Sequence, residues 1–312
     1  MHIRSIIIPA VGSGTHLLPA TRVVPAELLT VYDRPVLQFA IDEAIDAGAE
    51  RIIVVIHPDK LWIRDYLKPD ETGTGRLGAG GRATRDPAAA AVQAPAAVDL
   101  VFAFQNRPLG LGHAISICSA LVLPGPVGVI LPDDVIMGTP CMAEMAQAYR
   151  GGHMVAAMTV TAQDAPHSGV FRPLGTPSGQ CVAVSGIVET PPAGTGTGPW
   201  LLAAVGRYVL DPMIFATLRG LPQYAAPAGR LMDAIAEDAA SVPLTAFRFR
   251  GRRHDCASPD GLIEVGLARQ RAVKRARSPT TGTARLTARI NDWPAAARWI
   301  DAQTAALEGI AP

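Results

Sequence analysis

The sequence lacks any continuous apolar run of about 20 residues, which a membrane-spanning helix needs. Its N-terminal residues 1–10 also lack the order of charged, apolar and small residues that marks a signal peptide. The formal net charge is only +1, from 28 Lys and Arg against 27 Asp and Glu. Neither a membrane nor a nucleic acid is therefore an expected partner, and phosphate groups must be recognised locally.

Cysteine is scarce as well, with four residues in 312. These residues are widely spaced, form no CxxC pair and have no histidine pair at zinc-binding spacing, so neither a disulfide framework nor a zinc site is expected. The four are Cys118, Cys141, Cys181 and Cys256. Isolated thiols fit a reducing compartment, and we predict a cytoplasmic protein.

What the sequence does contain is an alternation of short apolar runs and helical periodicity. We predict strands at Ser5–Ile8, Arg51–Ile56, Leu100–Phe104 and Val127–Leu131, and helices at Pro35–Ala47, Leu61–Leu67, Gly112–Leu121 and Cys141–Arg150. Such alternation predicts an α/β fold, with a mostly parallel sheet flanked by helices. The ligand crevice is then expected beyond the carboxyl ends of the strands, at the loops Val11–Thr15 and Pro132–Asp134.

Later in the chain the pattern shifts toward strands, at Met154–Thr161, Val182–Val188 and Leu201–Leu210. We therefore divide the chain into an N-terminal α/β half, a second half of the same fold that completes the site, and a C-terminal tail with a helix that is expected to contact a partner subunit. The bounds are 1–150, 151–275 and 276–312. A segment rich in Gly and Ala between Pro69 and Val98 is predicted to be a surface loop.

A glycine-bearing loop, Gly12-Ser13-Gly14-Thr15, directly follows the first predicted strand. Glycines at such a position let backbone N–H groups approach phosphate oxygens. The loop is not a Walker motif, since no GK[ST] follows, and it is not a dinucleotide fingerprint, since Leu17 stands where a third glycine belongs. Taken alone, the loop is more readily interpreted as an ordinary turn between a strand and a helix.

The loop does not stand alone, because six further motifs follow it at compatible intervals. In order, the motifs are Gly12–Thr21, Asp33-Arg34-Pro35, Pro108–Ala114, Leu131–Asp134, Val205–Leu210, Met232–Ile235 and His254–Cys256. Together they resemble the bacterial UTP–glucose-1-phosphate uridylyltransferases over about residues 3 to 270. The resemblance implies a Rossmann-like mixed sheet of the nucleotide-diphospho-sugar transferase type, with a C-terminal sugar-binding layer. It implies nucleotide binding by the half at 1–150 and sugar-phosphate binding by the half at 151–275.

The resemblance also implies a reaction, in which the phosphate of glucose 1-phosphate attacks the α-phosphorus of UTP and releases pyrophosphate. That chemistry needs charge neutralisation on phosphoryl oxygens, usually by Mg²⁺ and a few cationic side chains. The implied catalytic residues are His16, Arg22 and Asp133, and the implied metal ligands are Asp133 and Asp255. Without the resemblance, an acidic pair after a strand is as readily a helix cap or a solvated turn.

The substrate contacts are likewise implied by the resemblance. The nucleotide-binding positions are Val11, Gly12, Gly14, Thr15, Glu27, Gln105 and Gly110. The sugar-binding positions are Gly169, Glu189 and Arg207. A homodimer or homotetramer is expected, with UTP and glucose 1-phosphate or a related sugar phosphate as the substrates.

The chain departs from the family pattern at the phosphates. His16 replaces an arginine, Ala26 replaces the lysine of a Pro-Lys-Glu motif, and Thr190 replaces a lysine near the sugar phosphate. Losing one preorganised donor costs on the order of 10²–10³ in rate. One alternative is therefore a catalytically impaired paralogue that binds a UDP-sugar or an active homologue and regulates it.

Further sequence features bear on activity and specificity. The cations Arg22, Arg107 and Arg230 stand near the motifs and could compensate for the losses. Val11 replaces a family alanine, and together with Thr190 it leaves a third alternative open, an active enzyme with a changed nucleotide or sugar. Among the histidines, we expect His113 to have a structural role rather than a phosphate or base-loop contact, and we predict His153 and His167 to lie on the surface.

Overall fold

The computed structural model describes residues 2–67, 98–161, 169–188, 200–221 and 231–277. Several predicted features lie outside these ranges: nearly all of the Gly/Ala-rich loop, the C-terminal tail beyond 277, His167, Glu189, Thr190 and Arg230.

One mixed sheet of nine strands dominates this part of the chain. Across the sheet the order is β5 (Asp99–Phe104), β4 (Arg51–Ile56), β1 (Ser5–Ala10), β6 (Val127–Ile130), β11 (Trp200–Leu210), β8 (His153–Thr161), β12 (Leu244–Arg248), β10 (Cys181–Val188) and β9 (Val170–Pro173). The first four strands run parallel, and β11 joins them antiparallel to β6. Two short antiparallel pairs lie apart from this sheet, β2 (Thr30–Val31) with β3 (Arg34–Pro35) and β7 (Asp134–Met137) with β13 (Arg252–Asp255).

Helices cover both faces of the sheet. They are α1 (Val36–Asp46), α2 (Leu61–Leu67), α3 (Gly110–Ser116), α4 (Cys141–Ala148), α5 (Ile214–Gly220), α6 (Leu231–Asp238) and α7 (Pro259–Arg277). Short 3₁₀ turns occur at Thr15–Leu17, Ala20–Arg22, Ala26–Leu28 and Pro58–Lys60. No helix in the described part of the chain has the length and apolarity needed to cross a bilayer.

The parallel strands are buried on both faces, which explains their nearly continuous apolar sequences. All six residues of β1 are buried. Ile7 packs with Ile53 in a hydrophobic cluster shared with α3, α5 and α6. Ile6 and Ile8, which point the other way along the same strand, pack in a second cluster with α1, α2 and α4. The alternating direction of side chains in a strand thus divides the core into two layers.

The predicted α/β fold is confirmed, and most predicted elements match the observed ones within two residues. One bound is wrong: α3 ends at Ser116 rather than Leu121, and turns follow it. The β8, β12, β10 and β9 strands extend the same sheet past residue 150. The division of the chain into two halves near that residue stays a prediction.

Two elements close to the ligand crevice were missed. The first is the β7–β13 pair, which joins segments about 120 residues apart in sequence. The second is α7, a helix of 19 residues whose buried side is formed by Gly261, Val265, Arg269 and Val273. Arg269 interrupts the apolar pattern of that side, so the helical period is hard to recognise in the sequence. Its burial depends on a bidentate ion pair with Asp33, with both N···O distances at 2.9 Å.

The prediction that His153 lies on the surface is wrong, because its side chain is fully buried. Its Nε2 lies 3.0 Å from Asp238 Oδ2, and its Nδ1 accepts a hydrogen bond from the backbone N–H of Asp211. Both ring nitrogens are therefore satisfied, which allows a neutral imidazole to be buried.

Candidate functional site

A pocket of about 460 Å³ opens at the carboxyl ends of β1, β5 and β6. This volume is typical of small-molecule sites, which hold roughly 300–1,000 Å³. The described lining consists of Pro9, Val11–Leu17, Ala26, Glu27, Val36, Gln105, Pro108, Gly110, Leu111, Leu131–Asp133, Cys256 and Ala257. All seven residues predicted to bind the nucleotide are in this set, together with His16 and Asp133.

The two glycines of the first loop differ in what they permit. Gly14 has a φ of 65°, in the left-handed region, and a Cβ there would lie 3.2 Å from the Cβ of Thr21. The hydroxyl of Thr21 donates to the Gly14 carbonyl at 2.6 Å, which holds the turn closed. A Cβ added to Gly12 would meet no protein atom within 4 Å. Gly14 is thus required by the turn, whereas Gly12 leaves open space at the pocket.

Glu27 presents a buried carboxylate to the pocket and is paired with Lys60. The Nζ of Lys60 lies 2.7 and 2.9 Å from the two carboxylate oxygens and 2.6 Å from the Gly12 carbonyl. Burial raises the pKa of Glu27, and the charge of Lys60 opposes that rise. Lys60 itself does not line the pocket, so it acts on the Gly12 loop and on Glu27 from behind.

Gln105 follows β5 directly and is almost fully buried. Its side-chain amide donates to the Gly110 carbonyl at 3.1 Å and lies 2.8 Å from Nδ1 of His113. Gly110 begins α3 with a φ of 83°, so a residue free to adopt the left-handed region is needed there. His113 therefore orients Gln105. This contact is structural, and it lies within the loop that is predicted to hold the base.

Asp133 and Asp134 follow β6 but have different environments. Asp134 is buried, and its carboxylate accepts hydrogen bonds from the backbone N–H of Gly206 at 2.7 Å and from Arg253 at 2.5 Å. Asp133 faces the pocket, where its side chain keeps contact with solvent. No Lys or Arg side chain of the described residues forms an ion pair with it. Partial desolvation, and then the charge of Asp134, raise the pKa of Asp133 to about 6.

The β7–β13 pair brings Asp255 beside these two residues. Asp255 and Asp134 are register partners, and the backbone N–H of Cys256 donates to the Asp133 carbonyl at 2.7 Å. The Asp255 carboxylate also accepts from the N–H of Ala257, in a turn that leads into α7. Asp255 thus has a structural contact of its own, and its negative charge adds to the rise in the pKa of Asp133.

This arrangement fits a hard divalent cation shared with a ligand. Within the ranges described, no three His, Cys, Asp or Glu side chains group into a cage that could hold a metal by themselves. Mg²⁺ is commonly held by one or two carboxylates, with phosphate oxygens and waters supplying the other positions. Asp133 lines the pocket and has no cationic partner among the described residues, so it supplies the principal carboxylate of such a set. Asp255 lies next to it in the β7–β13 pair, but is outside the lining and has Arg253 Nη2 3.6 Å from its carboxylate.

Arg207 does not line the pocket, although the sequence indicated that it binds the sugar. Its side chain is 1% exposed and forms an ion pair with Glu43, with a shortest N···O distance of 2.8 Å. Its Nη1 donates to the carbonyl of Leu131 and its Nη2 to that of Asp134, at 2.9 and 2.6 Å. Arg207 therefore supports the segment that carries Asp133, and a direct contact with sugar would require these bonds to break.

The predicted phosphate-binding cations lie mostly outside the described pocket. His16 lines it, and Ala26 lines it at the position of the missing lysine. Arg22 and Arg107 are exposed and are not part of the lining. Among the lining residues that the structure describes, none is a lysine or an arginine. Compensation by these two arginines is thus not seen in this part of the site.

Of the other two predicted sugar-binding residues, the structure describes Gly169. This residue precedes β9, outside the lining, and its carbonyl accepts a hydrogen bond from the N–H of Ala204 at 2.7 Å. A Cβ at Gly169 would lie 3.0 Å from Ile187 Cδ1, so the glycine allows close packing of the strands. Glu189 lies outside the described residues.

Sequence reasoning missed Lys60 and Arg253, the cations that neutralise Glu27 and Asp134. Arg253 stands next to the motif that begins at His254, and its place two residues before Asp255 was a usable signal. Lys60 lies in no motif that we recognised. Only the position of Pro58–Lys60 directly after β4, at the edge where the loops converge, could have indicated it.

Comparison with known proteins adds independent findings. A family model described as nucleotidyl transferase matches residues 5–270. A UTP–glucose-1-phosphate uridylyltransferase of Bacillus subtilis is 32% identical over 268 residues, which are 85% of this chain and 90% of that protein. One of the same description from Komagataeibacter xylinus is 31% identical over 261 residues, covering 82% and 90% of the two chains.

Solved structures give the same result. A UTP-bound UGPase from Acinetobacter baumannii superimposes with a TM-score of 0.74 at 29% identity, covering 86% of this chain and 93% of the other. A UDP-glucose pyrophosphorylase complexed with UDP-glucose superimposes with a TM-score of 0.73 at 27% identity, covering 86% and 99%. The similarity therefore extends over nearly the whole length of these proteins.

Proposed function

Because this chain belongs to the nucleotidyl transferase family and, within it, to the bacterial UTP–glucose-1-phosphate uridylyltransferases, we propose that it forms UDP-glucose and pyrophosphate from UTP and glucose 1-phosphate. One observation carries the proposal. The seven residues predicted to bind the nucleotide come from four separate segments of the sequence, and all of them line one pocket.

In this proposal, the base lies between the first loop and Gln105. Glu27 is the polar group on one edge of the base, and Gly110 lines the pocket beside Gln105, to which its carbonyl is hydrogen-bonded. The backbone of the Gly12–Thr15 loop approaches the phosphates, since Gly12 leaves space that a side chain would fill. A phosphate oxygen of glucose 1-phosphate then attacks the α-phosphorus of UTP. The new P–O bond forms as the bond to the bridging oxygen breaks, and pyrophosphate leaves.

Mg²⁺ is the metal that we propose, with Asp133 as the principal ligand and Asp255 beside it. When bound, Mg²⁺ supplies neutralisation of the charge on the phosphate oxygens. The protein's own part is to hold the Asp133 segment in place, through Arg207 and Asp134, so that little reorganisation is needed during the reaction.

Assembly and location stay predictions. An exposed apolar pair on α7, with Ile263 63% and Leu267 48% exposed, is compatible with the predicted homodimer or homotetramer. Light scattering of the full chain measures the assembly directly.

The direct test is to measure UDP-glucose formation from UTP and glucose 1-phosphate with Mg²⁺, in wild type and in His16→Arg/Ala26→Lys. Ala26 lines the pocket, and its Cβ would lie 3.3 Å from a Cβ placed on Gly14, so a lysine there reaches the phosphate loop. We expect wild-type turnover and a rise on the order of 10²-fold in kcat/KM in the double variant, by restoring charge-stabilising donors.

The control is Val23→Lys, which adds a lysine in the same segment at a position 73% exposed and outside the lining. A similar rise in this variant would mean that general charge, and not placement, matters. A wild type that binds UTP and UDP-glucose without turnover would favour the regulatory paralogue. That candidate is supported by the absence of lysine and arginine from the lining residues that the structure describes.

A further inference from the structure

Lys60 joins two parts of the base pocket that are distant in sequence. Its ammonium group contacts the Gly12 carbonyl in the loop after β1 and both carboxylate oxygens of Glu27 in a later 3₁₀ turn. Lys60 itself comes from the turn after β4, so three loops meet at one nitrogen atom. All three of its N–H donors therefore have partners at the pocket wall.

The environment of this contact is largely closed to water. The side chain of Lys60 is 14% exposed and that of Glu27 is 8% exposed. A carboxylate in such a place is costly to ionise unless a cation is paired with it, and without one it takes up a proton. The contact with Lys60 therefore decides in which protonation state Glu27 faces the pocket.

The protonation state of Glu27 has a chemical consequence for the ligand. An ionised carboxylate only accepts hydrogen bonds, whereas a protonated one also donates. Uracil carries an N–H group on its pairing edge, and cytosine carries an unprotonated ring nitrogen at the same position. An acceptor-only side chain placed opposite this ring position therefore accepts a hydrogen bond from uracil and faces a lone pair in cytosine.

We propose that Lys60 is a positioning residue that keeps Glu27 an acceptor and fixes the Gly12 loop, and that it thereby sets the preference for uracil over cytosine nucleotides. The inference rests on the proposed function, since it takes the pocket to hold the base of a nucleoside triphosphate. Lys60 acts through Glu27 and Gly12, because it does not line the pocket.

The test compares Lys60→Met, which removes the charge, with Lys60→Arg, which keeps it. Binding of UTP and of CTP to the full chain is measured by calorimetry, and kcat and KM are measured for both nucleotides. In Lys60→Met we expect UTP affinity to fall on the order of 10-fold or more, and the ratio of UTP to CTP affinity to shrink, because a buried acceptor loses its partner. Lys60→Arg should keep most of the affinity and the preference.

Glu27→Gln and the double variant Lys60→Met/Glu27→Gln complete a thermodynamic cycle. If Lys60 acts through Glu27, adding Lys60→Met to Glu27→Gln should change the preference for UTP over CTP very little. The double variant also keeps the test valid if Lys60→Met alone fails to fold, because it no longer buries an unpaired carboxylate.

The outcomes separate the two proposals. Unchanged UTP affinity and preference in Lys60→Met, with a wild type that binds UTP, overturns the role of Lys60 and leaves the proposed function standing. An equal loss of preference from Lys60→Met in both backgrounds also overturns it. A wild type that binds neither UTP nor CTP refutes the proposed function, and the inference with it.

Discussion

Among the described residues, the carboxylates around the pocket divide into those paired with a cation and Asp133, which is not. The buried pairs are Glu27–Lys60, Glu43–Arg207 and Asp134–Arg253, and Asp255 also lies 3.6 Å from Arg253. Asp133 faces the pocket, and in the described part of the chain no lysine or arginine is paired with it. The same small region thus contains both neutralised and unneutralised acids.

This difference distinguishes the acids that stabilise the fold from the acid that is available to a ligand. A buried charge that loses its partner destabilises a protein strongly, so paired acids are structural elements. An acid whose pKa is raised by desolvation and by neighbouring acids, as that of Asp133 is, is typical of functional sites, and a bound cation stabilises its charged form. We therefore expect the Asp133 carboxylate to lower the free energy of unfolding and to be needed for activity.

Asp133→Asn should lower activity more than any of the substitutions that follow. Loss of the metal-binding carboxylate is expected to lower kcat on the order of 10²–10³-fold at saturating Mg²⁺, comparable with losing one preorganised charge-stabilising group. The melting temperature should stay the same or rise, because repulsion with Asp134 and Asp255 is removed. Steady-state rates and thermal unfolding measure the two effects separately.

The matched control is Asp134→Asn, one residue away. Asp134 accepts hydrogen bonds from the N–H of Gly206 and from Arg253, so its neutralisation should cost about 1–3 kcal/mol of unfolding free energy. If Asp133→Asn destabilised the protein as much as this control, Asp133 would be a structural turn residue and the comparison would fail.

The sequence predicted the features around Asp133 better than it predicted the carboxylate–cation pairs. The two-layer core was predictable, since strands such as Arg51–Ile56 are short apolar runs separated by helical periods. Much of the pocket was predictable too, because glycine loops and acidic residues at strand ends have a direct chemical meaning. Asp133 and the Gly12 loop belong to this group.

The paired cations were not predictable in the same way. Lys60 and Arg253 have meaning only through tertiary contacts with residues 33 and 119 positions away. Arg207 was found as part of a motif, and its sugar-binding role stays a prediction. The sequence did not show that its side chain would point to the core, where it pairs with Glu43. His153 was misplaced for the same reason, since burial of a histidine depends on partners in other elements.

Two glycines near the site differ in the same way, in the space that each leaves for a side chain. Gly12→Ala should leave the unfolding free energy within about 0.5 kcal/mol, because a Cβ there meets no atom within 4 Å. It should raise the Kd for UTP on the order of tenfold, because the methyl group occupies space where the nucleotide approaches. Calorimetry with UTP and chemical denaturation are the measurements.

The control for Gly12→Ala is Gly206→Ala, the same substitution at a glycine in the protein interior. A Cβ there would lie 2.7 Å from both Asp134 Oδ2 and Leu131 Cβ, so the variant should lose about 1–3 kcal/mol of stability. Unchanged UTP binding in Gly12→Ala would show that the loop does not approach the ligand closely. It would also remove one support for the proposed orientation of the nucleotide.

The smallest expected effect concerns His153, a buried group far from the pocket edge. Burial lowers the pKa of His153, so the folded protein keeps it neutral at a pH where the unfolded chain, with a pKa near 6.5, begins to bind a proton. Because the unfolded state then holds more protons, stability falls as pH decreases below about 6.5. His153→Gln removes this contribution, so its stability should fall less steeply than that of wild type between about pH 7 and 5, by up to about 1.4 kcal/mol per pH unit.

Carboxyls with raised pKa values, such as those of Glu27 and Asp42, titrate in both proteins, so the difference between the two slopes isolates His153. Val23→Ala is the control, because Val23 is 73% exposed and carries no titratable group, so its loss should not change the slope. Equal slopes in wild type and His153→Gln would mean that the interior accommodates a charged imidazole beside Asp238. Burial would then be a weaker guide to the charge state of the cation-paired carboxylates around the pocket. The contrast between them and Asp133 would rest on metal binding alone.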